Sequence, residues 1–177
     1  MKNIAYFDIF NHPLKADEIL NLCAISKKEL DEGLKASEEQ KKIFSFGGYY
    51  SLQENVEQLV QERKEKIEKA ALYFKKLPRY AKIISSFQFV KGIGIYGSLS
   101  KNVMHEDGDI DYFIITSPNR LWICRTMLVT FKKVFLLNSK KYFCVNYFVD
   151  EKNLEIQDKN IFTAIETIFL LPVYNHQ

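Results

Sequence analysis

One stretch constrains the fold more than any other: GIYGSLSKNVMHEDGDIDYFII, residues 94–115. The alternating run FVKGIGIYG reads as a strand that ends at Gly97. Gly97-Ser98 follows, then ten residues, then Asp109-Ile110-Asp111 at the head of a second apolar strand, DIDYFIIT. A glycine at the turn lets backbone amides approach a phosphate with no side chain in the way. Ser98 adds a hydroxyl at the start of a short helix, whose first amides favour anions. Residues i and i+2 of a strand share a face, so Asp109 and Asp111 project together while Ile110 turns into the core. Two adjacent carboxylates on a rigid strand are hard oxygen ligands suited to Mg²⁺. A cation held there can bridge nucleotide phosphates and lower the pKa of an attacking hydroxyl. Gly-Ser is a common dipeptide and paired Asp residues are ordinary turn residues. Apolar strands on both sides, at this spacing, lift the segment above that plainer reading.

A Gly-Ser turn, about ten residues and an Asp-x-Asp strand together resemble the nucleotidyltransferase superfamily of the DNA polymerase beta type. The loop GSLSKNVMHEDGDID is especially similar to the minimal nucleotidyltransferases of bacteria, with Asp107 on a commonly acidic position and Gly108 where many relatives have Ser. The segments YFDIFNHPLKADEI, RLWICR and CVNYFV and the Gly-Gly-aromatic hairpin extend the likeness to bacterial proteins that join a winged-helix N-terminus to such a domain. The resemblance implies an α/β (α+β) chain: a nucleotidyltransferase-fold mixed sheet with flanking helices, preceded by a small winged-helix-like domain. It also implies a divalent cation, Mg²⁺ or Mn²⁺, an NTP substrate, with ATP the first candidate, and an acceptor. Relatives often continue into a further helical region, so the chain is either a short form or a piece of a longer one.

Along the chain, residues 1–53 read as the winged-helix-like unit. Residues 2–11 and KADEILNL are short helices, the first stopped by Pro13. Ser26 with Glu29 three residues later forms a capping box ahead of a third helix. Gly47-Gly48 between aromatic runs is a hairpin signal. Residues 54–88 read as a helical connector, with 54–76 a charged amphipathic helix that carries Arg63, Lys64, Lys66 and Lys69 on its outer faces. Pro78 is expected to break it before another short helix. Residues 89–177 read as the transferase domain: the two strands above, a buried helix from Arg120 to Leu137 with Trp122 in the core, a third strand YFCVNYFV, and a last helix closed by Pro172.

The first fifty residues carry seven Lys against eight Asp or Glu, a net of −1. A DNA reader normally shows a basic face, so protein docking or dimerisation is the favoured role for this unit and operator binding the lesser one. Cys23, Cys124 and Cys144 lack metal-ligand spacing and sit among apolar neighbours, as buried thiols of a reducing compartment do. No signal peptide or apolar run long enough to span a bilayer is present, so no membrane role and a cytoplasmic location are expected.

Active relatives usually place a third carboxylate on a later strand. Alternation in YFCVNYFV puts Cys144, Asn146 and Phe148 on one face, which makes Asn146 the occupant of that third place. An amide can coordinate a metal but cannot act as a base. Asp150 just beyond the strand and Glu155 further on are the substitutes. Lys101 and Arg120 are further candidates to contact the nucleotide's phosphates; for Arg120 a solvated helix end is an equal reading. Arg125, five residues from Arg120, does not share its face. His105 reads as an exposed loop residue, His12 as a turn residue and His176 as terminal. The expectation is a Mg²⁺-dependent nucleotidyltransferase with Gly97, Ser98, Lys101 and Arg120 on the nucleotide and Asp109 and Asp111 on the metal. A nucleotide-binding protein without turnover and a winged-helix DNA-binding regulator are the alternatives.

Overall fold

The computed structural model describes residues 2–175. It divides into two compact units, one up to Glu65 and one from Lys66 onward. His176 lies outside the described residues.

The first unit runs α1 (Lys2–Asp8), β1 (Leu14–Lys15), α2 (Ala16–Asn21), α3 (Lys27–Glu39), β2 (Phe44–Phe46) and β3 (Tyr49–Ser51). Ser26 caps α3 reciprocally with Glu29: each backbone amide donates to the other's side chain, at 2.8 and 3.3 Å. Gly47 and Gly48 both take positive φ, 58° and 81°, which the tight β2–β3 turn requires. β1 pairs antiparallel with β3 and completes a three-stranded sheet. A strand of two residues after Pro13 carries no periodic signal, so the sequence does not announce it.

The expected outer-face position of Arg63 is wrong: the residue is buried, 4% exposed. It follows Val56, Leu59 and Val60 at helical spacing on α4 (Val56–Ser85), so it falls on the inward stripe. There its guanidinium donates to Glu18 at 2.8 Å and to the Pro13 carbonyl, and lies over the Tyr49 ring. Burial raises the Glu18 pKa, but the Arg63 guanidinium and the Lys15 amide outweigh it and hold the carboxyl below 4.5. A depressed folded pKa stabilises above the unfolded value and stops doing so as pH falls through the folded one. The Tm of Glu18→Gln is therefore expected below that of the parent at pH 7. The gap should close as pH falls through the lowered Glu18 value, and a gap unchanged by pH would contradict the pair's role.

In the second unit α4 continues without interruption to Ser85, with Pro78 inside it. The expected break does not occur. Ala70, Tyr73, Leu77 and Ile84 hold one face of the helix in the core on both sides of the proline, and that burial outweighs the lost hydrogen bond. Then come β4 (Val90–Tyr96), α5 (Gly97–Ser100), β5 (Asp111–Thr116), α6 (Leu121–Phe135), β6 (Cys144–Asp150), α7 (Ile161–Ile168) and β7 (Leu171–Asn175). The sheet order is β6-β5-β4-β7, mixed, with β5 and β6 parallel and the other pairs antiparallel. Ile93, Ile95, Ile110, Tyr112 and Ile114 join the α4 residues and Cys124 and Leu128 of α6 in one core.

Two expectations fail here. The segment from Arg120 to Leu137 is not buried all round: Trp122 is 73% exposed and Phe135 70%. A helix laid on a sheet buries a single stripe, here Cys124 and Leu128, and the outward apolar residues mimic a core helix in the sequence. Pro172 does not simply close α7. It lies in β7, an edge strand beside β4, where a missing N–H costs least. No helix among the described residues is long and apolar enough to cross a membrane.

Candidate functional site

The antiparallel pairing of β4 with β5 sets Tyr96 opposite Asp111, which brings the turn after one strand beside the head of the other. Gly97 stands there with φ +75°, and a Cβ on it would lie 2.9 Å from Asp111 Oδ2. The chain therefore needs glycine at this position on two counts, a left-handed backbone and a close approach. Ser98, half-buried, opens α5, and the buried Leu99 anchors this single turn.

Asp109, Asp111 and Cys144 each present a ligand atom within 4.8 Å of the others. Ile110 between the two carboxylates is fully buried, as the alternation requires. Cys144 joins them because β6 runs parallel to β5 with Cys144 opposite Asp111. Asp111 is pushed up to about 6, first by burial and then by the charge of Asp109, against hydrogen bonds from Cys144 and Asn146. Burial and the neighbouring carboxylates push the Cys144 thiol up to about 12. The donor set fits a hard divalent cation: two carboxylates that repel each other, beside a thiol that stays protonated and is a poor ligand for such an ion.

Asn146 stands next to this pair. Its Nδ2 donates to Asp111 Oδ1 at 3.0 Å, so it braces a carboxylate. Its neighbours differ from the expectation. The register slips between Tyr112 and Phe113, so Phe113 pairs with Tyr147. A bulge at Asn146 thus puts Tyr147, instead of Phe148, on the site face, where its ring stacks on Phe113 at 5.3 Å.

The remaining candidates separate. Lys101 lies at the turn: its Nζ donates to the Gly97 carbonyl at 3.0 Å. Arg120 does not join the site. It is exposed at the far end of β5, over the Phe89 ring, about 17 Å of strand from Asp111. The sequence placed it close because it follows the motif strand, but that strand carries it away. Asp150 is at the same far end, opposite Thr116, where it accepts from the Asn119 and Lys152 amides. Glu155 pairs with Lys159 at 2.7 Å. Neither substitutes for a third carboxylate. His105 is exposed, and His12 is buried in the first unit against Phe7.

One carboxylate was not foreseen. Glu166 on α7 accepts from the Gly97 amide at 2.8 Å and from Lys101 Nζ at 2.6 Å. Both partners' side chains are nearly buried, at 11% and 14% exposure. An anion thus already occupies the donors expected to meet phosphate. The sequence did hold a signal for this: Glu166 is the single ionisable residue between Ile161 and Leu171.

The family described as Nucleotidyltransferase domain matches residues 77–165, half of the chain. Comparison with curated proteins and with solved structures gave no match.

Proposed function

The chain belongs to the nucleotidyltransferase domain family, and from that premise we propose that it moves a nucleoside monophosphate from an NTP, ATP first among them, to a hydroxyl acceptor. The observation that carries the reading is the juxtaposition of Gly97 and Asp111, where the turn's amides and the paired carboxylates share one small volume. In this proposal Asp109 and Asp111 hold Mg²⁺ or Mn²⁺, while the Gly97 amide, Ser98 hydroxyl and Lys101 ammonium meet the phosphates. When bound, the cation neutralises the triphosphate and acidifies the attacking hydroxyl. Asn146 fixes the orientation of Asp111. The acceptor oxygen bonds to the α-phosphorus, the bond from that phosphorus to the bridging oxygen breaks, and pyrophosphate leaves. The hydroxyl proton passes to water, since an amide at Asn146 cannot take it.

A second reading, nucleotide binding without turnover, is favoured by Asn146 in the third place and by the Glu166 carboxylate on the Gly97 amide. Incubation with α-³²P-labelled NTPs and cell fractions separates the two. Label in a covalent product, with pyrophosphate released, supports transfer; Mg²⁺-dependent binding with no labelled product supports the second reading. For the first unit, three helices and a hairpin with a net charge of −1 over fifty residues support a winged-helix-like module that docks protein, another copy included, in preference to DNA.

A further inference from the structure

We propose that the outward side of α6, with the shallow groove beside it, seats this chain on a membrane surface that carries anionic lipid. The inference goes beyond nucleotide transfer and stands whether or not the chain turns an NTP over. The expectation of no membrane role rested on the lack of a spanning segment, and a helix that lies on a bilayer needs none.

Cys124 and Leu128 turn one stripe of α6 into the core. The other side is apolar as well. Ile123, Met127, Phe131 and Phe135 recur at i, i+4 spacing and so form one ridge. Phe87, whose ring meets Phe131 edge-on at 5.2 Å, and Trp122 are further walls of a groove of about 630 Å³. Beyond the groove Val134 and Leu137 continue the apolar surface, 62% and 91% exposed. Over the 15 residues of α6 the patch has about 22 Å of helix to occupy. A contiguous exposed patch of this kind marks a contact surface.

The charges around the patch indicate what it meets. Between Asp111 and Asp150 the chain has no acidic residue, and it has Arg120, Arg125, Lys132, Lys133, Lys140 and Lys141. All of these but Lys132 are exposed. Arg125 stands at the edge of the patch, its guanidinium 5.7 Å from the centre of the Trp122 ring. Lys133 directly precedes Val134, and Lys140 and Lys141 follow closely on Leu137. A second copy on this face would set these cations against their own likes. Inside the patch the Thr126 hydroxyl donates to the Trp122 carbonyl at 2.8 Å, so its proton is already placed and asks nothing of a partner. An anionic lipid surface matches both features. The apolar side chains enter the acyl boundary, the indole takes the headgroup level, and the long basic side chains reach the lipid phosphates.

Trp122 is the single tryptophan of the chain, so its emission reads this contact directly. The test is titration of the full chain with vesicles of phosphatidylcholine alone and of phosphatidylcholine mixed equally with phosphatidylglycerol, followed by fluorescence and by flotation. The mixed vesicles are expected to shift the emission to the blue and to carry the protein upward, and the pure phosphatidylcholine vesicles to do neither. High salt should weaken the binding by at least about tenfold, since exposed charges are screened. Arg125→Ala/Lys133→Ala should lower partition by about 25-fold, about fivefold for each charge. Phe135→Ser/Leu137→Ser, at two exposed positions, should abolish flotation at an unchanged Tm. No shift with the mixed vesicles, equal binding to both vesicle types, or equal flotation of parent and Phe135→Ser/Leu137→Ser overturns the inference. A blue shift that grows with protein concentration in the absence of lipid means that a second copy covers the face, and overturns it too.

Discussion

The Asp109→Asn/Asp111→Asn protein is expected to lose nucleotidyl transfer by about three orders of magnitude and yet to melt higher than its parent in EDTA. The loss follows from removing both charges that would hold the cation, whose charge stabilisation is worth several kcal/mol in the transition state. The gain follows from the ground state. Two carboxylates with oxygens within 4.8 Å sit at a half-buried place, and Asp111 feels Asp109 and Glu166 as like charges. Repulsion at this distance is worth about 1 kcal/mol even in water, which corresponds to roughly 2–4 °C in a chain of this size. Amides keep the shape and the acceptor for Asn146. Thermal unfolding in EDTA together with label transfer decides the matter. Lower melting with transfer retained would mean that the pair is structural.

Gly97→Val is the second large effect. Its backbone lies at φ +75°, where a β-branched residue is strained by about 1–3 kcal/mol. The new Cβ would also press on Asp111 Oδ2 from 2.9 Å. Relief comes only by moving the carboxylate or the turn, and either separates the turn's amides from the Asp109–Asp111 pair. Metal-dependent ATP affinity should fall by at least about tenfold, as 1.4 kcal/mol requires, and Tm should fall with it. Ser98→Ala, which leaves φ and the Cβ in place, should lower affinity without lowering Tm. Equal stability losses in the two variants would show that the turn's glycine has no special demand.

The site's first half is legible in the sequence because its signals are periodic. Alternation places Asp109 with Asp111 and sinks Ile110, and glycine marks the turn. The second half is not periodic. A bulge at Asn146 slips β6 against β5, so Tyr147 takes the place that strict alternation gives to Phe148; nothing in YFCVNYFV marks where a strand slips. Glu166 reaches Gly97 across 69 positions of chain, and only its isolation within an apolar helix hints at a fixed partner. The same limit explains Arg120, which is near Asp111 in sequence but a strand's length away, and Arg63, whose helical spacing carried more information than its charge. On α4, propensity at Pro78 lost to the burial of Tyr73, Leu77 and Ile84. On α6, an apolar run without Gly or Pro did not reveal which face the sheet covers.

In the proposed reaction Glu166 competes with the incoming phosphate, since its carboxylate sits on the Gly97 amide and Lys101. In that reaction a triphosphate has to displace it, and a cation held by Asp109 and Asp111 would supply the attraction that makes the exchange favourable. Binding without metal should therefore be weak even though the turn is formed. Isothermal titration of the full chain with ATP, with Mg²⁺ and then in EDTA, measures this directly. Saturable one-to-one binding that requires Mg²⁺ and vanishes in Asp109→Asn/Asp111→Asn is the expected result. No binding in Mg²⁺, or binding that persists unchanged in EDTA or in the double variant, would contradict it.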